Sequence, residues 1–348
     1  MDKRDIKTGN REKMSSINFY KRKKEEKNTI FGAIGNTIGI PASAVEKDWW
    51  VVLTLAMIQE MEVAKHIVFK GGTSLSKAWN VIKRFSEDID LALDKQFLGI
   101  GKCTTVKQVK KLRSATRKYI YYTFIPELQD KFTNAGYTDA KVELYEEDGE
   151  NLEPVQLLVK YETCTPPSTY TKPEVKIEIG SRSLREPFTN MVFSSLVGEH
   201  YPDKPFADAP ITVPTVNPER TLLEKLFLLH EEFQKPAEEI RVDRLSRHLY
   251  DVEKLMQTEF IDLALDNPSL YNEIINHRRV YTKIATIDYN LHQPKTVNPI
   301  PPDKILGNWE KDYKFMQEAM IYGDSLPFEK LIERIKELKQ RINGINWS

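Results

Sequence analysis

Only two cysteines, Cys103 and Cys164, occur in 348 residues, and no His/Cys cluster has zinc spacing. That excludes a disulfide-stapled scaffold and a zinc-built module, and it suits a reducing compartment. Net charge is missing as well. The 51 Lys and Arg balance the 51 Asp and Glu, so no global field recruits nucleic acid and any RNA contact must be local. No apolar run approaches membrane-spanning length, and the N-terminus is polar and charged where a signal peptide would be apolar. These absences predict a cytoplasmic protein with no membrane partner. Repeats and low-complexity tracts are also lacking, and this length then predicts two folded domains.

Against this background the stretch from His66 to Leu93, HIVFKGGTSLSKAWNVIKRFSEDIDLAL, carries the chemistry. His66 to Lys70 is a β-branched, apolar run that predicts a strand, broken by Gly71-Gly72 where the chain must turn and expose backbone N–H groups. Thr73 and Ser74 open a helix of about three turns, whose unpaired N–H donors suit a phosphate. Arg84-Phe85-Ser86 returns the chain to a second strand, Asp88 to Leu93. On that strand Asp88 and Asp90 share a face while Ile89 and Leu91 point into the core. Two carboxylates side by side repel unless a cation lies between them, and a hard divalent metal suits oxygen ligands. A lone Gly-Gly is usually only a turn, and a lone Asp-x-Asp a solvated strand edge. Here one strand–helix–strand unit carries both to the same sheet edge, which favours a site for a metal-bound nucleoside triphosphate.

Elsewhere the periodicity predicts a mixed domain and then helices. The expected divisions are a charged N-terminal arm over 1–35, a mixed domain over 36–212 and a helical domain over 213–348. Ala42 to Met61 reads as an amphipathic helix with Trp49 and Trp50 packed in the core. Thr105 to Lys131 reads as a long helix, and strands are expected near Lys141–Tyr145, Val155–Tyr161 and Val175–Ile179. The segment TCTPPSTYTKP reads as a turn, and Tyr201 to Pro214 as polar loops. Alternation along Glu174 to Ile179 places Glu174, Lys176 and Glu178 on one face, so either glutamate is placed to supply a third carboxylate. Arg182 and Arg185 beyond it fit a phosphate contact or a surface ion pair equally. The basic runs Lys21 to Lys24 and Lys107 to Lys118 read first as solvated helix faces, although Tyr119, Tyr121 and Tyr122 after the second are suited to stacking bases.

Asn217 as N-cap, Pro218 at the first position and Glu219 in the first turn start a helix to Glu232, with Leu222, Leu226 and Leu229 as its core stripe. By residue type alone, Lys225 on that helix is a surface lysine. Arg247, Tyr250 and Asp251 fall within one turn of the next helix. The remainder, with helices around Asp312–Tyr322 and Phe328–Asn343, reads as a helical cap with Arg278 and Arg279 as candidate RNA contacts.

GGTSLSKAW…RFSEDIDLAL resembles the signature of the nucleotidyltransferase toxins of the AbiEii/AbiGii family, within the DNA polymerase β-like nucleotidyltransferase superfamily. The resemblance extends upstream to IPASAVEKDWWVVLTL (Ile40 to Leu55) and downstream to PERTLLEKL (Pro218 to Leu226) and RHLYDV (Arg247 to Val252). It implies an α+β nucleotidyltransferase fold with a mixed sheet, followed by a mainly helical C-terminal domain. The implied reaction moves a nucleoside monophosphate from an NTP to an acceptor hydroxyl with Mg²⁺ at a two-metal site. Asp88 and Asp90 would hold metal, and KIEIGSRS selects Glu178 as the third ligand. Gly71, Gly72, Thr73, Lys77, Ser86 and Asp251 would bind the nucleotide, and Lys225 would reach the triphosphate. The family further implies a toxin of a type IV toxin–antitoxin or abortive-infection system in phage defence, a separate antitoxin, and an RNA acceptor, in some relatives the tRNA 3′ end. His248 stands where a second acidic residue after Arg247 is expected, a departure from the late motif; by itself it reads as a packed or exposed helical residue rather than a general base. Two other classes are compatible with the residues: transfer to a protein or small-molecule hydroxyl, and a nucleotide-binding module without turnover.

Overall fold

Polar and apolar residues alternate in DIDLAL and EVKIEIG, and these two segments form the centre of a mixed seven-stranded sheet. A computed structural model describes residues 16–145, 154–166 and 172–347. The strands are β1 (Ile67–Lys70), β2 (Asp88–Leu93), β3 (Lys141–Leu144), β4 (Val155–Lys160), β5 (Glu174–Gly180), β6 (Phe188–Phe193) and β7 (Ile211–Val216). Their order is β3-β4-β5-β2-β1-β7-β6. β2 is antiparallel to β1 and parallel to β5, and β4 is antiparallel to both β3 and β5. The α+β class with a mixed sheet is the one expected.

The chain divides into two compact units. One comprises Met1–Ala78, Glu87–Lys102 and Lys110–Thr215, and the other Trp79–Ser86, Cys103–Val109 and Val216–Ser348. In the first, helices α1 (Lys24–Ile38) and α2 (Ala42–Gln59) build the core with the apolar face of the sheet. Trp49 and Trp50 are both buried there, as expected, with the Trp50 ring stacked on Tyr161 at 4.6 Å. α2 is not amphipathic: Glu46 and Lys47 are buried along with the apolar residues around them. Phe19 and Phe31, from the charged N-terminal region, also belong to this core.

The long helix is continuous as α4 (Val106–Tyr119), a wider π turn (Ile120–Phe124) and α5 (Ile125–Asn134). Reading Tyr201 to Pro214 as loops missed β7, whose Pro214 is an ordinary loop signal, and β6 and the short α6 (Leu196–His200) went unpredicted. Part of TCTPPSTYTKP lies outside the described residues. The second unit holds helices α7 (Pro218–Glu232), α8 (Arg247–Met256), α9 (Phe260–Leu265), α10 (Pro268–Tyr281), α11 (Asp303–Ala319) and α12 (Phe328–Asn343). Among the described residues no helix is long and apolar enough to cross a membrane.

Candidate active site

The helix after Gly71-Gly72 is shorter than expected. It comprises α3 (Gly71–Thr73) and a π turn (Ser74–Ala78), and Asn80 then adopts positive φ. The backbone beyond is satisfied elsewhere in the second unit: Lys83 N donates to the Tyr250 hydroxyl and Phe85 N to the Met320 carbonyl, which leaves no need for further helical turns.

Both ends of this excursion are pinned within the first unit by the charged triplet Glu46-Lys47-Asp48 of α2. Asp48 accepts from Lys77 Nζ and from Leu196 N, while Lys47 pairs with Glu87, the residue before Asp88. Glu46 accepts from Thr163, Thr165 and the Cys164 backbone, which anchors the segment after β4. The expected nucleotide ligand Lys77 is therefore enclosed between Asp48 and Glu199, whose carboxylates hold its pKa above the ordinary value although burial opposes them. Thr73 Oγ1 donates to the Asp88 carbonyl at 2.5 Å and Ser74 Oγ to the Gly71 carbonyl at 2.9 Å, so both hydroxyls brace the turn.

Register brings the three expected carboxylates together. Lys70 of β1 lies opposite Asp90, and Asp90 lies opposite Glu178 of β5. Directly paired residues share a sheet face, so Lys70, Asp90 and Glu178 form one row, and Asp88, paired with Lys176, lies on the same face two residues back. Ile89 and Leu91 face the core, as the alternation predicted. Burial raises the Asp88 carboxyl above its ordinary range. Glu87 and Glu178 push it the same way, against Lys176 and Lys47.

Gly71 makes this crowding sterically feasible. Its φ is +82°, a left-handed value that favours glycine, and a Cβ built on it would fall inside the Asp90 carboxylate, 2.8 Å from Cγ. The sequence pattern linked the glycines to phosphate; the structure gives Gly71 a second duty, making room for Asp90.

The donor set fits a hard divalent cation, because it is three carboxylates on one face with excess negative charge. Lys176 Nζ now meets Glu178 Oε1 at 3.1 Å, and Gln156 Nε2 donates to the same oxygen at 3.0 Å. The ammonium thus supplies positive charge to one member of the set. Among the described residues no group of three or more His, Cys, Asp or Glu side chains is arranged to hold a metal ion, so the fit lies in the type of donor and not in their present spacing. Gln156 escaped sequence reasoning because its place beside Glu178 depends on the β4–β5 register. Arg185 pairs with Asp94 at 2.9 Å, the ion-pair alternative.

A family model described as "Nucleotidyl transferase AbiEii toxin, Type IV TA system" matches residues 54–334. The chain belongs to this AbiEii family. It is therefore a nucleotidyltransferase toxin of a type IV toxin–antitoxin system, a membership that implies an NTP substrate and an antitoxin. Similar solved structures include MenT4, a nucleotidyltransferase toxin from Mycobacterium tuberculosis H37Rv, at 15% identity and TM-score 0.41, covering 90% of this chain and 98% of that one. JHP933 from Helicobacter pylori is similar at 16% identity and TM-score 0.42, covering 86% and 91%. No curated protein sequence matches the chain significantly.

In the second unit of this AbiEii-family toxin, the late motif forms a buried charge cluster. Asp251 has no exposure and takes Arg84 Nε at 2.6 Å and Nη2 at 2.8 Å, with Lys225 Nζ at 2.8 Å. Burial alone would raise the Asp251 carboxyl, but Arg84 and Lys225 hold it well below the usual range. Lys225 is buried rather than a surface lysine, and burial lowers its pKa despite Asp251. His248 packs beside it, Nδ1 to Nζ 3.4 Å, and burial, with Lys225 and Arg247 nearby, pushes its pKa well below the ordinary value. A histidine is compatible with this position because two cations already face one carboxylate, and an added positive charge would be opposed. Ser86 belongs to the same unit, in the segment Trp79–Ser86.

Asn217 occupies the cap position of α7, but its side chain donates to Glu219 at 3.0 Å rather than capping the helix. Arg278 is bound to Glu231, which also meets His292 Nε2 at 3.0 Å, so its guanidinium supports the helical packing. Arg279 donates to the Tyr289 carbonyl at 3.4 Å.

Proposed function

We propose that this toxin transfers a nucleoside monophosphate from an NTP to an RNA hydroxyl, the tRNA 3′ end, with Mg²⁺ held by Asp88, Asp90 and Glu178. The observation carrying the reading is the pairing of Asp90 with Glu178 beside Asp88, with Gly71 shaped to admit the Asp90 carboxylate. Bound there, a divalent metal pair would supply Lewis-acid polarisation of the transferred phosphate and ease deprotonation of the attacking hydroxyl. The chain's own contribution is placement. β2 and β5 fix the spacing of the carboxylates, Gly71, Gly72 and Thr73 offer backbone N–H groups to phosphate oxygens, and Lys77 locks the following helical turn to α2.

A metal held by Glu178 would compete with the Lys176 ammonium that meets this carboxylate at 3.1 Å, so Lys176 would tune how strongly the site draws a cation. The nucleotide-holding roles of Ser86, Lys225 and Asp251 belong to the same proposal, with Lys225 providing charge and Asp251 orienting it. In the cell the consequence would be abortive infection in phage defence, from a cytoplasmic toxin held in check by its antitoxin.

The test is labelling of total tRNA with each α-³²P NTP in turn, comparing intact tRNA with tRNA whose terminal diol has been oxidised by periodate. Label on intact tRNA that is lost on oxidised tRNA supports the 3′-end acceptor. Label on both moves the acceptor to an internal hydroxyl. Label on protein or a small molecule instead of RNA overturns the RNA reading, and nucleotide binding with no transfer would leave only a binding module.

A further inference from the structure

Several exposed basic residues on the solvated helices of this protein pair with acids on their own helix. On α12, Lys330 meets Glu333 and Arg334 meets Glu337. The helix α4 does the opposite. From Lys95 to Pro126 the sequence holds eight Lys and Arg and no Asp or Glu, inside a chain whose net charge is zero. Within the first unit, Lys110, Lys111, Ser114, Lys118, Tyr121 and Tyr122 follow one another at near-helical spacing, so they share one face, and all six are exposed. Among the described residues none of these three lysines has an ion-pair partner.

The face ends in an unusual way. Tyr121 and Tyr122 are 52% and 69% exposed, although large rings normally seek burial, and they pack edge to face on each other at 4.9 Å. They lie in the π turn Ile120–Phe124, whose wider winding turns two consecutive aromatic side chains outward. Cations leading to exposed rings are the elements of a single-strand platform, in which phosphates meet the lysines and bases stack on aromatic faces. The helix is tied to the carboxylate sheet, since the Thr116 and Ser181 hydroxyls hydrogen-bond to each other. Ser181 is three residues beyond Glu178, about 10 Å along the strand direction. From Lys110 to Tyr122 the face runs about 18 Å, long enough for several nucleotides.

We propose that this face of α4 and its π turn binds the single-stranded end of the RNA acceptor, with Lys110, Lys111 and Lys118 on phosphates and Tyr121 and Tyr122 on bases. The inference rests on the RNA-acceptor reading above but concerns binding, so it is measured without turnover.

The probe is a fluorescein-labelled 12-nucleotide unstructured RNA, titrated with the full chain at several salt concentrations. Lys110→Ala/Lys111→Ala/Lys118→Ala should weaken binding and reduce the salt slope by about 2, because single strands give about 0.7 per phosphate contact. Tyr121→Ala/Tyr122→Ala should weaken binding about tenfold or more with the slope unchanged, and Tyr121→Phe/Tyr122→Phe should retain it. All five substituted positions are exposed, so melting temperatures should stay at the wild-type value. Unchanged affinity in both alanine variants, or no binding by the wild type, overturns the proposal. Variant-sensitive binding to phosphatidylserine vesicles without RNA binding also overturns it, in favour of a membrane surface. A parallel α-³²P transfer reaction separates the two readings. RNA labelled equally well by the alanine variants removes this platform and leaves RNA transfer standing, whereas label on protein alone removes RNA transfer.

Discussion

Replacing Gly71 with alanine should cut transfer about 10²-fold while leaving a folded protein. Two effects combine at that position. The φ of +82° costs a residue bearing Cβ about 1–2 kcal/mol, because the left-handed region crowds Cβ against the backbone. At about 2–4 °C per kcal/mol for a unit of this size, the melting temperature should fall by a few degrees. The second effect is local. The new methyl would occupy the space of the Asp90 carboxylate, 2.8 Å from its Cγ, so the end of the Asp90 side chain must swing away. That movement spares the fold but displaces a group whose placement the reaction needs, and a misplacement of about 1 Å costs about 10²-fold in rate. The assay is kcat for NMP transfer alongside a thermal melt, with Gly39→Ala as control. Gly39 also has positive φ but open space around its Cβ position, so it should show the strain without the activity loss. If Gly71→Ala retains more than half the wild-type kcat, Asp90 does not need the space that Gly71 provides and the reasoning fails.

Asp251→Ala leaves Arg84 and Lys225 buried without their carboxylate, and should destabilise the second unit by about 3–5 kcal/mol in urea unfolding. Since the folded Asp251 pKa is depressed, its stabilisation is present above about pH 4 and is lost as pH falls further. His230 adds a window at higher pH: burial, with His292 nearby, lowers its pKa to about 4, so the unfolded chain takes up the proton first on acidification. Stability should decline by up to about 3 kcal/mol between pH 6.5 and 4, and His230→Gln should flatten that slope; an unchanged slope would refute the assignment. Chelation with EDTA should abolish transfer, and added Mg²⁺ restore it, with little change in melting, because Lys176 and Gln156 already hold Glu178 without metal. A large fall in melting temperature on chelation would instead indicate a structural metal.

The centre of the sheet was legible because its strands obey period two and only one face is buried. DIDLAL and EVKIEIG each place their acids by alternation, and Asp90 opposite Glu178 follows once those strands pair. The flanking parts were not legible for physical reasons. β7 contains Pro214, a loop signal that pairing in the sheet overrides, and the shortness of the helix after Gly71 depends on distant partners such as Tyr250 and Met320 for the backbone beyond it. Lys225 and Asp251 read as polar helix positions because a buried ion cluster leaves no local signature; only Arg84, 167 residues away in sequence from Asp251, explains why they are inside. The same holds for Glu46-Lys47-Asp48, whose charges lie on a helix buried on nearly every side.

The most direct measurement is single-turnover transfer of α-³²P-labelled nucleotide to RNA by Asp88→Asn, Asp90→Asn and Glu178→Gln, each with its melting curve. Loss of about 10²- to 10³-fold is expected in all three, the scale of removing charge stabilisation at a reacting centre. Asp88→Asn should melt no lower than wild type, because burial and the nearby Glu87 and Glu178 already disfavour the Asp88 charge. Near-normal transfer by any one of the three folded variants would contradict the placement of the reaction on this sheet edge.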